Sequence, residues 1–560
     1  MLAPGATGYS GARDLRGMYE QPLLTLMAIV MLLLLIASVN VANLFIARGI
    51  AMRHQLSVRL ALGASRGRLV RQLLTECALL YGAGAVLGLG IAAWTSRLLV
   101  RQLSTPPADS VVLDLSTDGR VLAFTIAITV VTTLLFGTAP AFRASRVAPM
   151  AALKPQGHAI VAEGRNALTG WLMIGQVALS LVLVVGAGLF VRTLVSLAGR
   201  ELGFDPSRVL LVNVDAHNAT KDAAQRLALY ERARDAVRLL PDAAEAALSL
   251  TTPVGSGQFT PPVDIDGVSD TQGPVWANLV SPGWFATYRI PLLAGRDLGD
   301  RDHAGTPRVV VVNEAFVRKF AGGENPIGRT MTLYPRTRLA MGPIQIVGVV
   351  GDAVYSSLRS SAPPTFYLPL AQFDYLTELG IRSINLSVRS RTESPAALTK
   401  SVTAAVGSVD PKLALTFRLL ANQVRAAQTQ ERMTALLSSF FAALALLLAA
   451  LGLYGVTSYS VGTRRTEIGI RMALGSSTGS AVRLILRRVA FLLSVGIAIG
   501  LVGSVWASRF VAALLYGVQP RDLSTLLGAI ALLAAVGLLG AYLPARRAAL
   551  VDPMVALRAE

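Results

Sequence analysis

Long apolar runs without a charged residue dominate the chain and predict membrane helices. Seven runs contain no Asp, Glu, Lys or Arg: residues 22–45, 77–96, 121–142, 166–191, 433–459, 489–508 and 523–543. A helix that crosses the hydrocarbon core of a bilayer needs roughly 20 predominantly apolar residues, whereas the buried helices of soluble proteins are usually shorter. The pattern therefore predicts an α-helical polytopic membrane protein with about seven transmembrane helices.

The basic residues lie between these runs and predict the orientation of the chain. Segments 48–76, 142–168, 460–488 and 544–560 together hold 19 Lys or Arg and 5 acidic residues. The net charge of +19 could also indicate nucleic-acid binding, but cytosolic loops of membrane proteins carry this excess of positive charge. We therefore expect these loops in the cytosol, with no nucleic-acid partner and with residues 197–430 on the outer side.

An internal repeat relates the two ends of the chain. The segment Arg59-Leu60-Ala61-Leu62-Gly63 recurs as Arg471-Met472-Ala473-Leu474-Gly475, at an offset of 412 residues. The Pro-containing segment 140–153 recurs as 544–557, at an offset of 404. Matches that keep their order in basic loops indicate duplicated architecture rather than chance likeness between apolar helices.

Alternating β-rich and helical patterns between the fourth and fifth runs predict a separate α+β domain. The β-rich runs are Val209–Val214, Val309–Val312, Ile344–Val350, Phe366–Leu368 and Ile384–Val388, and the predicted helices are Asp222–Leu240 and Ser394–Val406. Polar sequences on either side, 192–202 and 419–432, are interpreted as helical stalks that join the domain to the membrane helices. The lone Cys77 excludes a disulfide within these 560 residues.

These patterns give five predicted segments. The membrane units are residues 22–154, with three helices, and 431–560, with three more, and residues 155–196 form a linker and the fourth helix. Residues 197–430 form the outer domain, and residues 1–21 are interpreted as the remnant of a first outer domain. The chain is thus expected to be truncated at its N-terminus relative to a symmetric duplicate, with a natural short form and a nonfunctional truncated product as the alternatives.

Several segments resemble the FtsX-like, MacB-type ABC transporter permeases. The segment from Glu467 to Gly475 resembles the cytosolic motif of that family, and Leu515-Tyr516-Gly517-Val518 resembles its short outer loop near the C-terminus. Residues 280–285, 290–296, 312–316, 326–328 and 347–352 are similar to blocks of the MacB periplasmic core domain. The duplicated plan is most similar to the duplicated orphan permeases of this family, so the resemblance implies two FtsX-like repeats and a periplasmic domain of the MacB core type.

The resemblance also implies which residues couple to an ATPase. In the second loop these are Arg465, Glu467, Arg471, Ala473, Leu474 and Gly475, and in the first loop Gln55, Arg59 and Gly63. Gln55 stands where the second copy has Glu467, which removes a negative charge and puts coupling through the first loop in doubt. We expect Gly475 to end one helix and the serines after it to start the next.

The sequence contains no Gly-x-x-x-x-Gly-Lys-Ser/Thr phosphate loop, and its four histidines show no metal-ligand spacing. We therefore expect no catalytic site, metal or cofactor, and a separate ABC ATPase as the energy source. The implied function is a permease subunit of a MacB-like export or mechanotransmission system that acts on an amphiphile, peptide or lipoprotein. Membrane lipid, a periplasmic adaptor or outer-membrane channel, and a dimeric or pseudo-dimeric arrangement are the further expected partners. The alternative is an FtsX-like signalling or scaffold protein that regulates a cell-envelope enzyme.

Overall fold

The structure is a computed structural model, and it describes residues 9–10, 13–51, 65–103, 119–145, 158–220, 222–255, 259–265, 268–269, 275–334, 341–355, 357–372, 382–462 and 477–549. The chain divides into two compact units. One comprises Met1–Leu194 with Glu431–Glu560, and the other comprises Val195–Gln430. The first is a helix bundle and the second is the outer domain.

The helix bundle contains seven long helices among the described residues. They are α1 (Leu15–Ala51), α2 (Arg66–Leu103), α3 (Gly119–Ser145), α4 (His158–Ala198), α10 (Thr429–Gly462), α11 (Thr478–Val511) and α12 (Leu523–Ala549). All except α3 are long and apolar enough to cross a membrane, and the described apolar stretch of α3 is the shorter Gly119–Leu135. A two-stranded pair, β1 (Tyr9–Ser10) and β2 (Arg13–Asp14), precedes α1.

Helix α4 occupies the centre of this bundle. Its most apolar window is 67% buried, against 28% for α1, α10, α11 and α12. One side of α4 packs against α10, α11 and α12 through residues such as Val177, Leu181 and Leu533. The other side packs against α1, with Leu183 and Phe190 beside Ile36. A helix that is apolar all round is therefore covered by protein over most of its surface, as expected for its uniform hydrophobicity.

The outer domain is built on one mixed sheet. Its strands are β3 (Val209–Asp215), β4 (Ala243–Ser249), β5 (Val263–Ile265), β6 (Val268–Ser269), β7 (Trp276–Val280), β8 (Leu292–Gly295), β9 (Val309–Asn313), β10 (Thr330–Leu333), β11 (Met341–Val350), β12 (Thr365–Pro369), β13 (Ser383–Ser390) and β14 (Ala414–Leu419). The order across the sheet is β14-β3-β13-β4-β7-β12-β9-β11-β10-β5-β6, and β8 pairs with β11. The helices of the domain are α5 (Ala223–Arg238), α6 (Trp284–Tyr288), α7 (Glu314–Phe320), α8 (Leu398–Val409) and α9 (Leu420–Ala427).

The sheet falls into two lobes. Strands β14, β3, β13 and β4 are all antiparallel to their neighbours, and among the described residues β4 and β7 share one ladder pair, Ser249 with Val280. In the second lobe β7 runs parallel to β12, and β9 runs parallel to β11. Four consecutive valines make β9 a fully buried strand, since β-branched side chains fit a sheet covered on both faces. The sequence thus folds into the predicted mixed α and β domain.

Candidate functional site

The residues predicted to contact an ATPase belong to two basic segments that separate membrane helices in the sequence. All nine, Gln55, Arg59, Gly63, Arg465, Glu467, Arg471, Ala473, Leu474 and Gly475, are outside the described residues. In the sequence they fall between α1 and α2 and between α10 and α11. The ATPase-contact assignment therefore stays a prediction.

The helices that follow the two loops begin at equivalent positions of the repeat. Ser477 is the N-cap of α11, and its hydroxyl accepts a hydrogen bond from the Ser480 amide at 3.3 Å. The Ser65 hydroxyl accepts from the Arg68 amide at 3.4 Å at the start of α2. A serine in this place satisfies an amide that the helix leaves without a carbonyl partner. The predicted helix start after Gly475 is therefore confirmed.

Two side-chain amides converge on one backbone carbonyl inside the bundle. Asn40 Nδ2 of α1 and Gln176 Nε2 of α4 each donate to the Leu448 carbonyl of α10, both at 2.8 Å. Hydrogen bonds of this kind hold transmembrane helices together where the surroundings offer no water. The pair therefore ties three helices, one from the first half of the duplicate and two from the second.

Gly452 faces the same cluster and has to remain without a side chain. A Cβ at this position would lie 2.5 Å from Asn40 Oδ1 and 2.7 Å from Gln176 Oε1. One turn further along α1, Asn43 is 6% exposed, and its amide atoms have no hydrogen-bond partner among the described residues. The cluster therefore combines close backbone packing with polar groups at membrane depth.

A polar junction joins α4 to the start of α12. The Arg192 guanidinium donates to Asp522 Oδ2 and to Ser524 Oγ. Asp522 Oδ2 also accepts from the Thr525 hydroxyl at 2.6 Å and from its amide at 2.8 Å, so that the carboxylate caps α12. Hydrogen bonds from Thr525 and Ser524, with the charge of Arg192, lower the pKa of Asp522 to about 2. The Asp522 carboxyl group is therefore ionised at neutral pH.

The segment that follows α4 is fixed to the outer domain. Gly203 has a φ of +76°, and a Cβ there would lie 1.8 Å from the Asp352 carbonyl oxygen. The Val354 amide donates to the Leu202 carbonyl at 3.0 Å, and the Arg200 guanidinium donates to the Leu358 carbonyl and, at 2.8 Å, to that of Ser360. The helix itself ends at Ala198, so the predicted first stalk is helical only in part.

The segment that leads out of the outer domain is fixed in a similar way. Gln423 Nε2 donates to Thr252 Oγ1 at 3.0 Å and to the Pro253 carbonyl at 2.9 Å. The predicted second stalk is not one continuous helix, because α9 and α10 are separated at Gln428. The Gln428 side chain donates to the Leu197 carbonyl at 3.5 Å, so this break lies beside the end of α4.

A buried arginine holds the same end of the domain together. The Arg389 side chain is 5% exposed and donates to Asp205 Oδ2 at 3.0 Å, to the Asp205 carbonyl at 2.9 Å and to the Thr287 carbonyl at 2.6 Å. Burial alone would raise the pKa of Asp205, but hydrogen bonds from Ser207 and the charge of Arg389 hold it below its usual value. Asp205, which follows the incoming segment, is therefore held against β13 by Arg389.

Sequence reasoning missed several of these positions. Asp522 immediately precedes an apolar run, which is a recognisable N-cap signal. Arg192, Gly203 and Gly452 carry no local signal, because their roles depend on residues far away in the sequence. Within the described ranges, no group of three or more His, Cys, Asp or Glu residues could hold a metal ion.

Comparisons with known families match both units. The MacB-like periplasmic core domain matches residues 171–405, and the FtsX-like permease C-terminal domain matches twice, over residues 27–149 and 439–553. The two FtsX-like matches correspond to the two halves of the duplicate, and the core-domain match covers most of the outer domain.

Curated relatives show the same likeness at low identity. The chain is 28% identical over 284 residues to the pyoverdine export ATP-binding/permease protein PvdT of Pseudomonas aeruginosa, covering 48% of this chain and 40% of PvdT. It is 26% identical over 275 residues to the macrolide export ATP-binding/permease protein MacB of Marinobacter nauticus, covering 48% of this chain and 41% of that protein. The chain therefore spans less than half the length of these relatives.

Among solved structures, the periplasmic region of MacB from Actinobacillus actinomycetemcomitans aligns with a TM-score of 0.29 and 15% identity, covering 42% of this chain and 98% of that one.

Proposed function

Because the chain belongs to the MacB/FtsX-type ABC transporter permeases, we propose that it is the membrane subunit of an export system powered by a separate ABC ATPase. Its cargo is an amphiphile, a peptide or a lipoprotein that the outer domain meets outside the bacterial inner membrane. The names of PvdT and MacB, which are export proteins with ATP-binding and permease functions, support this reading.

The observation that carries the proposal is the attachment of both connecting segments to the outer domain. Arg200 and Gly203 fix the incoming segment, and Gln423 and Gln428 fix the outgoing one. These side-chain hydrogen bonds to backbone carbonyls limit the motion of each connecting segment against the outer-domain residues that it contacts. A displacement of α4 or α10 would therefore move the attached part of the outer domain, which is what mechanical export requires.

The proposed contact with the ATPase is the loop between α10 and α11. Glu467 and Arg471 are four residues apart, which places them on one face if the loop is helical there. The first loop has Gln55 in the place of Glu467 and is proposed to bind the ATPase more weakly.

Affinity purification in mild detergent tests the ATPase contact. The wild-type chain should copurify with an ATPase, and Arg471→Glu or Glu467→Arg should release it. Arg418→Glu, an exposed charge reversal on β14, is the matched control and should leave the complex intact. If the ATPase remains bound to both loop variants, the assignment of this loop is wrong.

A disulfide between the two connecting segments tests mechanical coupling. Leu197→Cys and Gln428→Cys, in a Cys77→Ser background, should cross-link because the Gln428 side chain contacts the Leu197 carbonyl. We expect oxidation to suppress ATPase turnover of the reconstituted complex, and a reductant to restore it. Full turnover in the oxidised form would contradict mechanical coupling through these segments.

A further inference from the structure

An arginine–aspartate pair lies on either side of the point where the chain leaves the helix bundle for the outer domain. On the bundle side, Arg192 of α4 pairs with Asp522 at the start of α12. On the domain side, Asp205, which follows α4 in the chain, pairs with Arg389 of β13 at 3.0 Å. The chain between residues 192 and 205 is therefore held by one ion pair in each of the two units.

The two pairs differ in what would happen to the arginine if the pair opened. The Arg389 side chain is 5% exposed, so separation from Asp205 would leave a buried charge without its partner, which is strongly unfavourable. The Arg192 side chain is 47% exposed, and an arginine near the end of a membrane helix can reach water or lipid headgroups. The pair on the bundle side can therefore open at low cost, whereas the pair on the domain side cannot.

The contact between α4 and α12 changes from apolar to polar towards this end of the helices. Further into the bundle, both helices contribute to one apolar cluster. A Cβ at Gly188 would lie 2.7 Å from the Thr525 methyl carbon, so the backbone of α4 approaches α12 closely there. Gly188 and Arg192 are four residues apart and share one face of α4. The same face of α4 therefore carries both the close approach and the ion pair.

We propose that Arg192 and Asp522 form a latch, which holds the end of α4 on α12 and opens when α4 is displaced during the transport cycle. The force that opens the latch rests on the proposed function, whereas the latch itself is a property of the bundle alone. Hydrogen bonds from Thr525 and Ser524 lower the pKa of Asp522 to about 2, so protonation does not open the latch at neutral pH. Because the Arg389 pair stays closed, the outer-domain residues that it holds follow the released end of α4.

Distances between spin labels on the full-length chain in lipid nanodiscs test the latch without an ATPase. In a Cys77→Ser background, Val191→Cys on α4 and Leu527→Cys on α12 carry the labels, since both side chains are exposed. Asp522→Asn keeps an oxygen that can cap α12 but removes the charge, and it should increase the population of longer distances about twofold to fivefold. Arg192→Gln should have the same effect, and Arg192→Lys should stay close to the wild-type distribution.

Salt distinguishes an ion pair from a contact that only packs. Raising the ionic strength from about 0.1 M to about 1 M shortens the Debye length from about 10 Å to about 3 Å. It should therefore lengthen the distances when the pair is intact, but not in Asp522→Asn. Asp114→Asn is the matched control, because Asp114-Leu115-Ser116-Thr117 is the same tetrapeptide in the first half, and it should leave the distances unchanged. If salt leaves the distances of the intact pair unchanged, or if Asp114→Asn lengthens them as much as Asp522→Asn, the proposal is wrong.

Reconstitution with the copurified ATPase shows whether the latch opens during turnover. A nonhydrolysable ATP analogue should shift the labels of the intact chain towards the longer distances that Asp522→Asn shows. If the complex hydrolyses ATP while the labels keep the short distance in every nucleotide state, the latch is not part of the cycle and the proposal is overturned, although the ATPase contact stands. If no ATPase binds, the proposed function fails, and the responses to salt and charge still decide whether the pair is a releasable latch.

Discussion

Substitution of Gly203 by alanine should destabilise the outer domain strongly, because two independent penalties coincide. The positive φ of +76° costs an alanine about 1 kcal/mol. The added Cβ would lie 1.8 Å from the Asp352 carbonyl oxygen, so the backbone must separate and strain the bond from the Val354 amide to the Leu202 carbonyl. Loss of such a buried bond costs about 1–3 kcal/mol, which brings the sum to about 2–4 kcal/mol.

Thermal unfolding of the purified protein, followed by tryptophan fluorescence, measures this effect. Trp276 and Trp284 are buried in the outer domain and report its unfolding. For a domain of this size, about 1 kcal/mol lowers the Tm by about 2–4 °C, so Gly203→Ala should lower it by about 4–16 °C. Gly322→Ala is the matched control, since its φ is +59° and no described atom lies within 4 Å of its Cβ. Equal shifts in the two variants would refute the reasoning, because only backbone conformation would then matter.

Two further predictions concern stability. Asp302→Asn should lower the free energy of unfolding in urea by about 3 kcal/mol, because the Asp302 side chain is 4% exposed and accepts two hydrogen bonds from Arg296, both at 2.8 Å. Glu324→Gln is the control, since Glu324 pairs with Arg329 at the surface, and it should cost under about 1 kcal/mol. Burial opposes ionisation of Asp302, but hydrogen bonds from Arg296 lower its pKa, so its stabilisation is present above the unfolded pKa of about 3.9 and disappears as the pH falls through the lower folded pKa. Gly452→Ala should lower the thermal stability of the helix bundle, whereas Gly455→Ala on the same helix, with no described atom within 4 Å, should leave it unchanged or raise it.

The strands that sequence patterns predict are those with runs of β-branched or aromatic residues. All five predicted strands, from β3 to β13, are confirmed: four contain at least two Val or Ile residues, and the fifth, β12, contains Phe366 and Tyr367. Strand β4, Ala243–Ser249, was not predicted, since an alanine-rich segment favours helix. It forms a strand because β13 pairs along its length, so tertiary pairing overrides local preference.

The order of the strands across the sheet could not be read from the sequence. Chain neighbours β3 and β4 are separated by β13, and β14 lies at the edge beyond β3. The last residue of β14, Leu419, was interpreted as part of the second stalk, because a short mixed segment beside a polar helical one has no distinct period. Predicted helices in the outer domain are confirmed within a few residues, at α5 and α8.

Membrane helices were predictable because lipid imposes length and composition on each helix independently. The contacts between them were not, since they depend on which faces meet. Asn40 and Gln176 are visible in the sequence as polar residues within apolar runs, but nothing in the sequence shows that both amides reach the Leu448 carbonyl. The residues of the proposed ATPase contact rest on family resemblance alone, which is why their test is an experiment on binding.

The two halves of the duplicate are no longer interchangeable where they meet. At the repeat offset of 412 residues, Asn40 is equivalent to Gly452, and these are the two positions that face each other. Glycine at both would remove one of the two hydrogen bonds to the Leu448 carbonyl, whereas asparagine at both would place a side chain within 2.5 Å of the Asn40 amide oxygen. Only the unequal pair satisfies both the hydrogen bond and the packing, so each half has become specific for the other. The two basic segments differ as well, because Gln55 in the first stands at the position of Glu467 in the second. This difference in charge favours an asymmetric permease in which the two halves have different functions.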